Sequence, residues 1–251
     1  MQKMDKAALK ARVCEIIRER NAEIVELGRS IFAEPELGFK EVKTSAKIKA
    51  AFEKLGLECE TGWGITGVKA RMKGKASKRT VAMLGELDAI VCRTHPNCDA
   101  VTGAAHCCGH NVQIANVYAV AAALKEAGAM EYLGGDVVLF AVPAEEYVEI
   151  DYRSKLRDEG KLRFLGGKQQ IIAEGGFDDC DIAMQMHVAV TDNPEGDMMY
   201  AGSCNGFIGK LIEYHGRAAH AAGAPSQGIN ALNAAMMGKY IHDSRVINEA
   251  F

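Results

Sequence analysis

The sequence predicts an α/β fold, a mixed and largely parallel sheet flanked by helices. Two short β-rich runs, residues 80–84 and Asp136–Val142, stand on either side of a long apolar stretch at 111–127. A strand, a helix and a strand in that order close as a right-handed unit with parallel strands. The chain's 251 residues are 48% apolar and 25% charged, which is ordinary globular composition. A chain of this length buries roughly 70% of its unfolded surface, so its core needs no disulfide or structural metal.

The elements follow in order. Leu9, Val13, Ile16, Ile17, Ile24, Leu27 and Ile31 recur at helical spacing and predict one amphipathic helix, ended at Glu34-Pro35. A second helix is expected from Thr44, as N-cap, to Leu55, with Gly56 as its stop. Strands at 67–72 and 80–84 flank the charged turn KGKASK. Residues 88–107 form a loop rich in Cys, Asp, Thr and Gly. The apolar helix at 111–127 ends at Gly128, and DVVLFAV reads as a buried strand. A weaker strand is expected at 181–186. After Val190 the composition shifts. TDNPEGD resembles a linker, FIGKLIEYHG a strand, and 228–251 a long helix with Ala231, Leu232, Ala235, Met236, Tyr240, Ile241 and Ile247 on its apolar side. These features divide the chain into an α/β domain, 1–195, and the beginning of a small α+β domain, 196–251. A lone strand and helix make a poor independent unit, so either this part packs on the first domain or the sequence is truncated.

Thirty basic against thirty-three acidic residues give a net charge of −3, which offers no broad cationic face for nucleic acid or an anionic membrane. The N-terminus lacks the apolar core of a signal peptide, and VYAVAAAL is too short to span a bilayer. Eight cysteines are too sparse for a disulfide scaffold and fit reduced thiols in the cytoplasm. The expected partner is a small molecule.

Ligands of open α/β sheets bind beyond the carboxyl ends of the strands. Asp88 follows one strand, Glu145 and Glu146 follow DVVLFAV, and His187 closes the weaker strand. HCCGHN places Cys108 and His110 at the mouth of the apolar helix. Singly, each has a plainer reading: a turn, solvated carboxylates, a hydrogen-bonded histidine. Together, a thiolate, imidazoles and carboxylates form a set suited to Zn²⁺, Mn²⁺ or Co²⁺. Of two adjacent carboxylates, one can bind metal while the other takes a proton from a water whose pKa the metal has lowered toward roughly 7. A thiol mechanism through Cys108 and His110 is the competing chemistry, though it leaves the paired glutamates unexplained. Cys92, His95 and Cys98 read either as an accessory metal site or as ordinary loop residues.

The stretches FAEPELGFKEVKTS (32–45), GELDAI (85–90), HCCGHN (106–111), PAEE (143–146), MHV (186–188) and GRAAHAAGAPSQGINAL (216–232) resemble, in order, the aminoacylase-type metallopeptidases. The resemblance is to the amidohydrolase subgroup that includes hippurate, aminobenzoyl-glutamate and indoleacetyl-amino-acid hydrolases. It implies a two-metal centre, with zinc or manganese held by Cys108, His110, Glu146 and His187, cobalt being a third candidate. Glu145 would be the general base, and Asp88 would orient a ligand imidazole, that of His110. His220 would stabilise the oxyanion, reaching the site of a partner subunit in a homodimer, and 196–251 would begin an inserted dimerisation or lid domain. The implied activity is hydrolysis of N-acyl or aminobenzoyl amino acids or dipeptides. Cys107 and Asn111 depart from the family's usual Ala and Asp, and Asn111 points to the aminobenzoyl-glutamate-like branch. Family members continue past residue 251 to a final histidine ligand, so the alternative is a metal-binding fragment without catalysis.

Overall fold

The computed structural model describes residues 5–188, 206 and 212–238. In chain order the helices are α1 (Lys6–Glu19), α2 (Asn21–Phe32), α3 (Val42–Lys54), α4 (His110–Glu126), α5 (Ile150–Asp158) and α6 (Gly167–Ala173). The strands are β1 (Cys59–Trp63), β2 (Gly67–Met72), β3 (Thr80–Glu86), β4 (Ile90–Val91), β5 (Ala104–Ala105), β6 (Asp136–Val142) and β7 (Ile182–Gln185). The chain divides into two units, Met1–Asp192 and Asn193–Phe251.

Five strands of the first unit form one mixed sheet in the order β1-β2-β6-β3-β7. β6 and β7 run parallel to β3, whereas β2 is antiparallel to β6 and β1 to β2. The β3–β6 register runs from Thr80 opposite Asp136 to Glu86 opposite Val142. Both strands therefore finish level, and Asp88, Glu145 and Glu146 leave the sheet from the same edge.

β6 is apolar almost throughout because it is covered on both faces. On one face α4 brings Ile114, Val117, Tyr118, Ala121 and Ala122 against Leu139 and Ala141, with Ile24, Ile31, Ile48 and Phe52 filling in from α2 and α3. On the other, Phe140 and Val142 meet Ile171 of α6 together with Trp63 and Phe177. Small residues let α2 and α4 approach closely. A Cβ added at Gly28 would lie 3.3 Å from Ala115 Cβ, and Asn111 Nδ2 donates to the Gly28 carbonyl at 3.2 Å. Among the described residues, no helix is long and apolar enough to cross a membrane.

Several elements differ from the sequence reading. The first helix is two, α1 and α2, interrupted at Arg20, whose φ of −94° and ψ of 8° leave helical geometry. Thr44 is not an N-cap; it sits buried inside the first turn of α3. The capping group is the Glu36 carboxylate, which accepts the N–H groups of Lys43 (3.0 Å) and Thr44 (2.8 Å) and the Thr44 hydroxyl (3.0 Å). An acidic group at a helix N-terminus also meets the favourable end of the helix dipole. Strand β1 and helices α5 and α6 carry no usable periodicity. β1 is a polar edge strand, α5 buries only Arg153 and Leu156, and α6 is too short for two apolar turns.

Asp136 anchors the turn between β2 and β3 to the start of β6. Its carboxylate accepts from the Gly74 N–H (2.9 Å) and Ser77 Oγ (2.6 Å) and pairs with Arg71 Nη1 (2.9 Å). Burial pushes this carboxyl up, but the bonds from Ser77, Gly74 and Arg71 outweigh it and hold the pKa below the usual value. Such a group contributes stability above its unfolded pKa of roughly 3.9 and loses it as pH falls through the folded pKa. Asp136→Asn is expected to cost about 2 kcal/mol in urea unfolding at pH 7. The gap from the parent should narrow below about pH 4, whereas a gap that does not change with pH would contradict the assignment.

In the second unit, residues 231–238 are helical, and the Asn230 side chain accepts the Asn233 N–H at 3.1 Å, as an N-cap does. Arg217 and Ile229 form an isolated antiparallel bridge. Of the strand expected at 207–216, residues 212–216 are not in strand geometry and 207–211 lie outside the described residues. The remainder of the long helix, 239–251, also lies outside them.

Candidate metal centre

The site is assembled where β3 and β6 end. After Glu86 the Leu87 N–H still bonds the Val142 carbonyl (2.9 Å), and Asp88 lies fully buried one residue beyond. β4 and β5 pair as a short antiparallel ribbon that closes the loop between them and returns the chain to the rim. The turn Cys108-Gly109-His110 then opens α4. Gly109 has φ of +92°, and a Cβ there would lie 2.8 Å from Val188 Cγ2. Glycine alone fits this turn. Gly109→Ala is expected to lower stability by about 1–3 kcal/mol and to weaken zinc binding by displacing both flanking side chains. Urea unfolding and zinc titration measure the two effects, and parental values in both would refute the assignment.

His110 is 1% exposed. Its Nδ1 lies 2.8 Å from the Asp88 backbone carbonyl and 3.3 Å from Asp88 Oδ1. A carbonyl only accepts, so Nδ1 carries a proton and Nε2 faces the cluster. Nε2 lies 2.9 Å from Glu86 Oε2, 3.8 Å from Glu145 Oε2 and 3.9 Å from Glu146 Oε1. The Glu86 contact is close but poorly aligned, and Nε2 has no hydrogen-bond partner. His187 behaves in the same way. Its Nδ1 bonds the Val188 carbonyl at 2.8 Å, so Nε2 faces Cys108 Sγ, 3.3 Å away. The donor atoms of Cys108, His110 and His187 lie within 4.8 Å of one another, as do those of Glu86, His110 and Glu145. His110 is common to both groups.

The Asp88 carboxylate serves a second neighbour, because its Oδ2 accepts the Glu146 N–H at 2.9 Å. Glu86 is buried between His110, Gln113 Nε2 (2.9 Å) and the Lys168 ammonium, with which it pairs.

Burial would lower the His110 pKa, but Asp88 and Glu86 raise it to about 11. Burial, followed by a bond to Glu146, pushes the Cys108 thiol up to about 11. Burial and the Glu86 charge raise Glu145. For Glu86, burial works upward but His110 and Lys168 prevail and hold it well below the carboxylate range. Burial thus leads for Cys108 and Glu145, neighbouring carboxylates for His110 and neighbouring cations for Glu86, and a divalent cation is the species that carboxylates gathered around a buried imidazole attract. The unpartnered His110 Nε2 and the thiol, imidazole and carboxylate donors fit a borderline ion such as Zn²⁺, Mn²⁺ or Co²⁺.

The structure brings together Asp88, Cys108, His110, Glu145, Glu146 and His187. His220 lies in the second unit, exposed, where its Nδ1 accepts the N–H groups of Ala222 (3.2 Å) and Gly223 (2.9 Å). Cys92, His95 and Cys98 belong to neither donor group. His95 Nδ1 accepts the Asn97 N–H (3.2 Å) and Cys98 Sγ lies 3.5 Å from the Arg93 carbonyl, both local turn contacts.

Sequence reasoning overlooked Glu86, Lys168, Glu41 and Arg153. Glu86 could have been found, since it stands two residues before Asp88 in GELDAI. Glu41 is fully buried, accepting from Thr66 Oγ1 (2.6 Å) and the Ala144 N–H (2.8 Å), and burial together with Asp88 pushes it up to about 7. Ala144, the residue before Glu145, has φ of +51° although it is not glycine. That left-handed conformation costs about 1–3 kcal/mol and persists only where its surroundings impose it.

No family model matches the chain. An indoleacetyl (IAA)-amino acid hydrolase, ILR1-like 4 of Arabidopsis thaliana, is 30% identical over 221 residues, which are 84% of this chain and 44% of that protein. The Xaa-Arg dipeptidase of Mus musculus is 29% identical over 247 residues, 91% of this chain and 48% of the dipeptidase. The chain thus spans just under half the length of each. Among solved structures, the YXEP protein of Bacillus subtilis, described as a dinuclear metal-binding peptidase of the M20 family, superimposes with a TM-score of 0.54. That match has 24% identity and covers 67% of this chain and 44% of YXEP, which establishes the shared fold. With these homologues and this fold, the chain belongs to the M20 family of amidohydrolases and peptidases.

Proposed function

We propose that the chain carries the metal-binding part of a hydrolase that cleaves the amide bond of small substrates: N-acyl or aminobenzoyl amino acids, or dipeptides. The observation that carries this reading is the buried His110 Nε2, which has no aligned hydrogen bond and faces three carboxylates, Glu86 at 2.9 Å and Glu145 and Glu146 both within 3.9 Å. Cys108, His110, Glu146 and His187 would hold two divalent cations, zinc or manganese, with cobalt also acceptable. When bound, these ions supply Lewis acidity that makes a water more acidic and polarises the scissile carbonyl.

The protein's own groups do the rest. Glu145 is the more open of the paired glutamates, 39% exposed against 16% for Glu146. It takes a proton from the attacking water and returns it to the leaving amine. Its raised proton affinity suits a base working near neutral pH. Asp88 fixes the His110 ring through Nδ1 and the Glu146 backbone through Oδ2, so one buried residue sets two neighbours. Because His220 Nδ1 accepts two N–H groups, its Nε2 carries the proton and can donate to an oxyanion, contributed across a homodimer. The free cysteines among the described residues are compatible with a cytoplasmic setting.

The test is a panel of hippurate, aminobenzoyl-glutamate and dipeptides, assayed before and after chelation. Hydrolysis lost with a chelator and restored by zinc or manganese supports the reading. Hydrolysis that survives chelation but stops with a thiol reagent would replace it with a cysteine mechanism. A second reading, metal binding without turnover, would be marked by metal retention with no hydrolysis.

A further inference from the structure

The strained backbone before the paired glutamates is held by a charge that the chemistry above does not use. Arg153, on α5, is fully buried. Its Nη1 donates to the Leu165 carbonyl (2.9 Å) and reaches the Ala144 carbonyl (3.5 Å), while Nη2 donates to the Glu146 carbonyl. One guanidinium thus grips the carbonyls on both sides of Glu145. Two further contacts complete the clamp: the Ala144 N–H donates to Glu41 Oε1, and the Gly167 N–H donates to the Ala144 carbonyl at 3.0 Å. Gly38 makes room for it, since a Cβ there would run into Arg153 Nη2 and lie 2.9 Å from Ala144 Cα. The Glu146 peptide is fixed from both ends, its N–H by Asp88 and its carbonyl by Arg153.

Burying an arginine whose bonds all go to carbonyls is a costly way to stabilise a fold. No carboxylate is paired to it by a direct bond among the contacts above; Glu41 and Asp88 act on it only as nearby charges. Its fork geometry does, however, match two carbonyls separated by one residue, which a lysine ammonium cannot span. We propose that Arg153 is a positioning residue for the hydrolysis described above. It imposes the left-handed turn at Ala144 that aims Glu145 and Glu146 at the metal-binding side chains. This inference rests on the proposed function, yet it can be tested apart from it.

The experiment compares the full chain with Arg153→Lys, each loaded with cobalt(II), by absorption spectroscopy and by amide hydrolysis. The expected result is a change in the visible d–d bands, reporting the displaced Glu146 carboxylate. The thiolate-to-cobalt charge-transfer band from Cys108 should persist. Turnover should fall about a hundredfold, the size of loss that misplacing a catalytic group by 1 Å produces, with little change in KM. Adding Ala144→Gly, which makes the left-handed turn unstrained, should recover part of both signals. Lys69→Met is the control. Lys69 is a buried cation bonded to the Gly176 carbonyl and Asp179, and its loss should lower stability without altering the cobalt spectrum. Gly38→Ala, whose methyl group would meet the Arg153 guanidinium first and Ala144 next, displaces the clamp by another route and replaces Arg153→Lys if that variant does not fold. A parental spectrum and turnover in Arg153→Lys would overturn the proposal, as would changes no larger than those of Lys69→Met. If the parent binds cobalt but hydrolyses nothing, the functional reading fails and the spectra alone decide the positioning role.

Discussion

Glu145→Gln should leave the chain folded and metal-loaded while turnover falls by about two to four orders of magnitude. The substitution keeps the shape of a side chain that is 39% exposed at the mouth of the cluster and removes only its ability to take a proton. Glutamine should be tolerated structurally, because burial and Glu86 already disfavour the charged form of this carboxyl. Metal content by plasma mass spectrometry and turnover on the best substrate of the panel decide the matter together. Loss of metal in this variant would make Glu145 a ligand and leave Glu146 as the candidate base. The two side chains stand at nearly the same distance from His110 Nε2, so this measurement distinguishes their roles.

The second large effect is expected at His110, and it is best read against Asp88. His110→Ala removes the one donor common to both groups of candidate ligands and leaves Glu86 and Asp88 facing a hole. Asp88→Asn keeps the ring and its bond to the Asp88 backbone carbonyl but removes a negative charge behind it. Loss of a group that supports a ligand typically costs about 10–100-fold in metal affinity. Asp88→Asn should fall in that range and His110→Ala well beyond it, measured by competition against a coloured chelator. Equal, small effects would mean that His110 is a buried structural imidazole and that the cation, if any, binds elsewhere.

What could be read from the chain is what depends on local pattern. DVVLFAV is a strand because only a sheet covered on both faces accommodates so uniform an apolar run, and its bounds are those expected, Asp136–Val142. Asp88, Glu145, Glu146 and His187 were legible as candidates because each follows a strand. The sheet then brings strand ends together whatever the intervening sequence. Arg153 was not legible for the opposite reason. Its helix has no apolar stripe, and its value lies in carbonyls seven and nine residues away, which no spacing rule links to it. Glu41 likewise gains its role from Ala144, 103 residues on. Thr44 shows a local rule giving way to a non-local one. It is a good N-cap residue in isolation, but Glu36 reaches the helix start first and draws Thr44 into the first turn.

The central claim is that these side chains form a two-cation centre, and metal stoichiometry tests it most directly. The 251-residue chain, incubated with zinc or manganese, desalted and analysed by plasma mass spectrometry, should retain two ions per chain, falling in Cys108→Ala and His110→Ala. A parent chain that retains none, or one whose metal content is indifferent to both substitutions, would contradict the account.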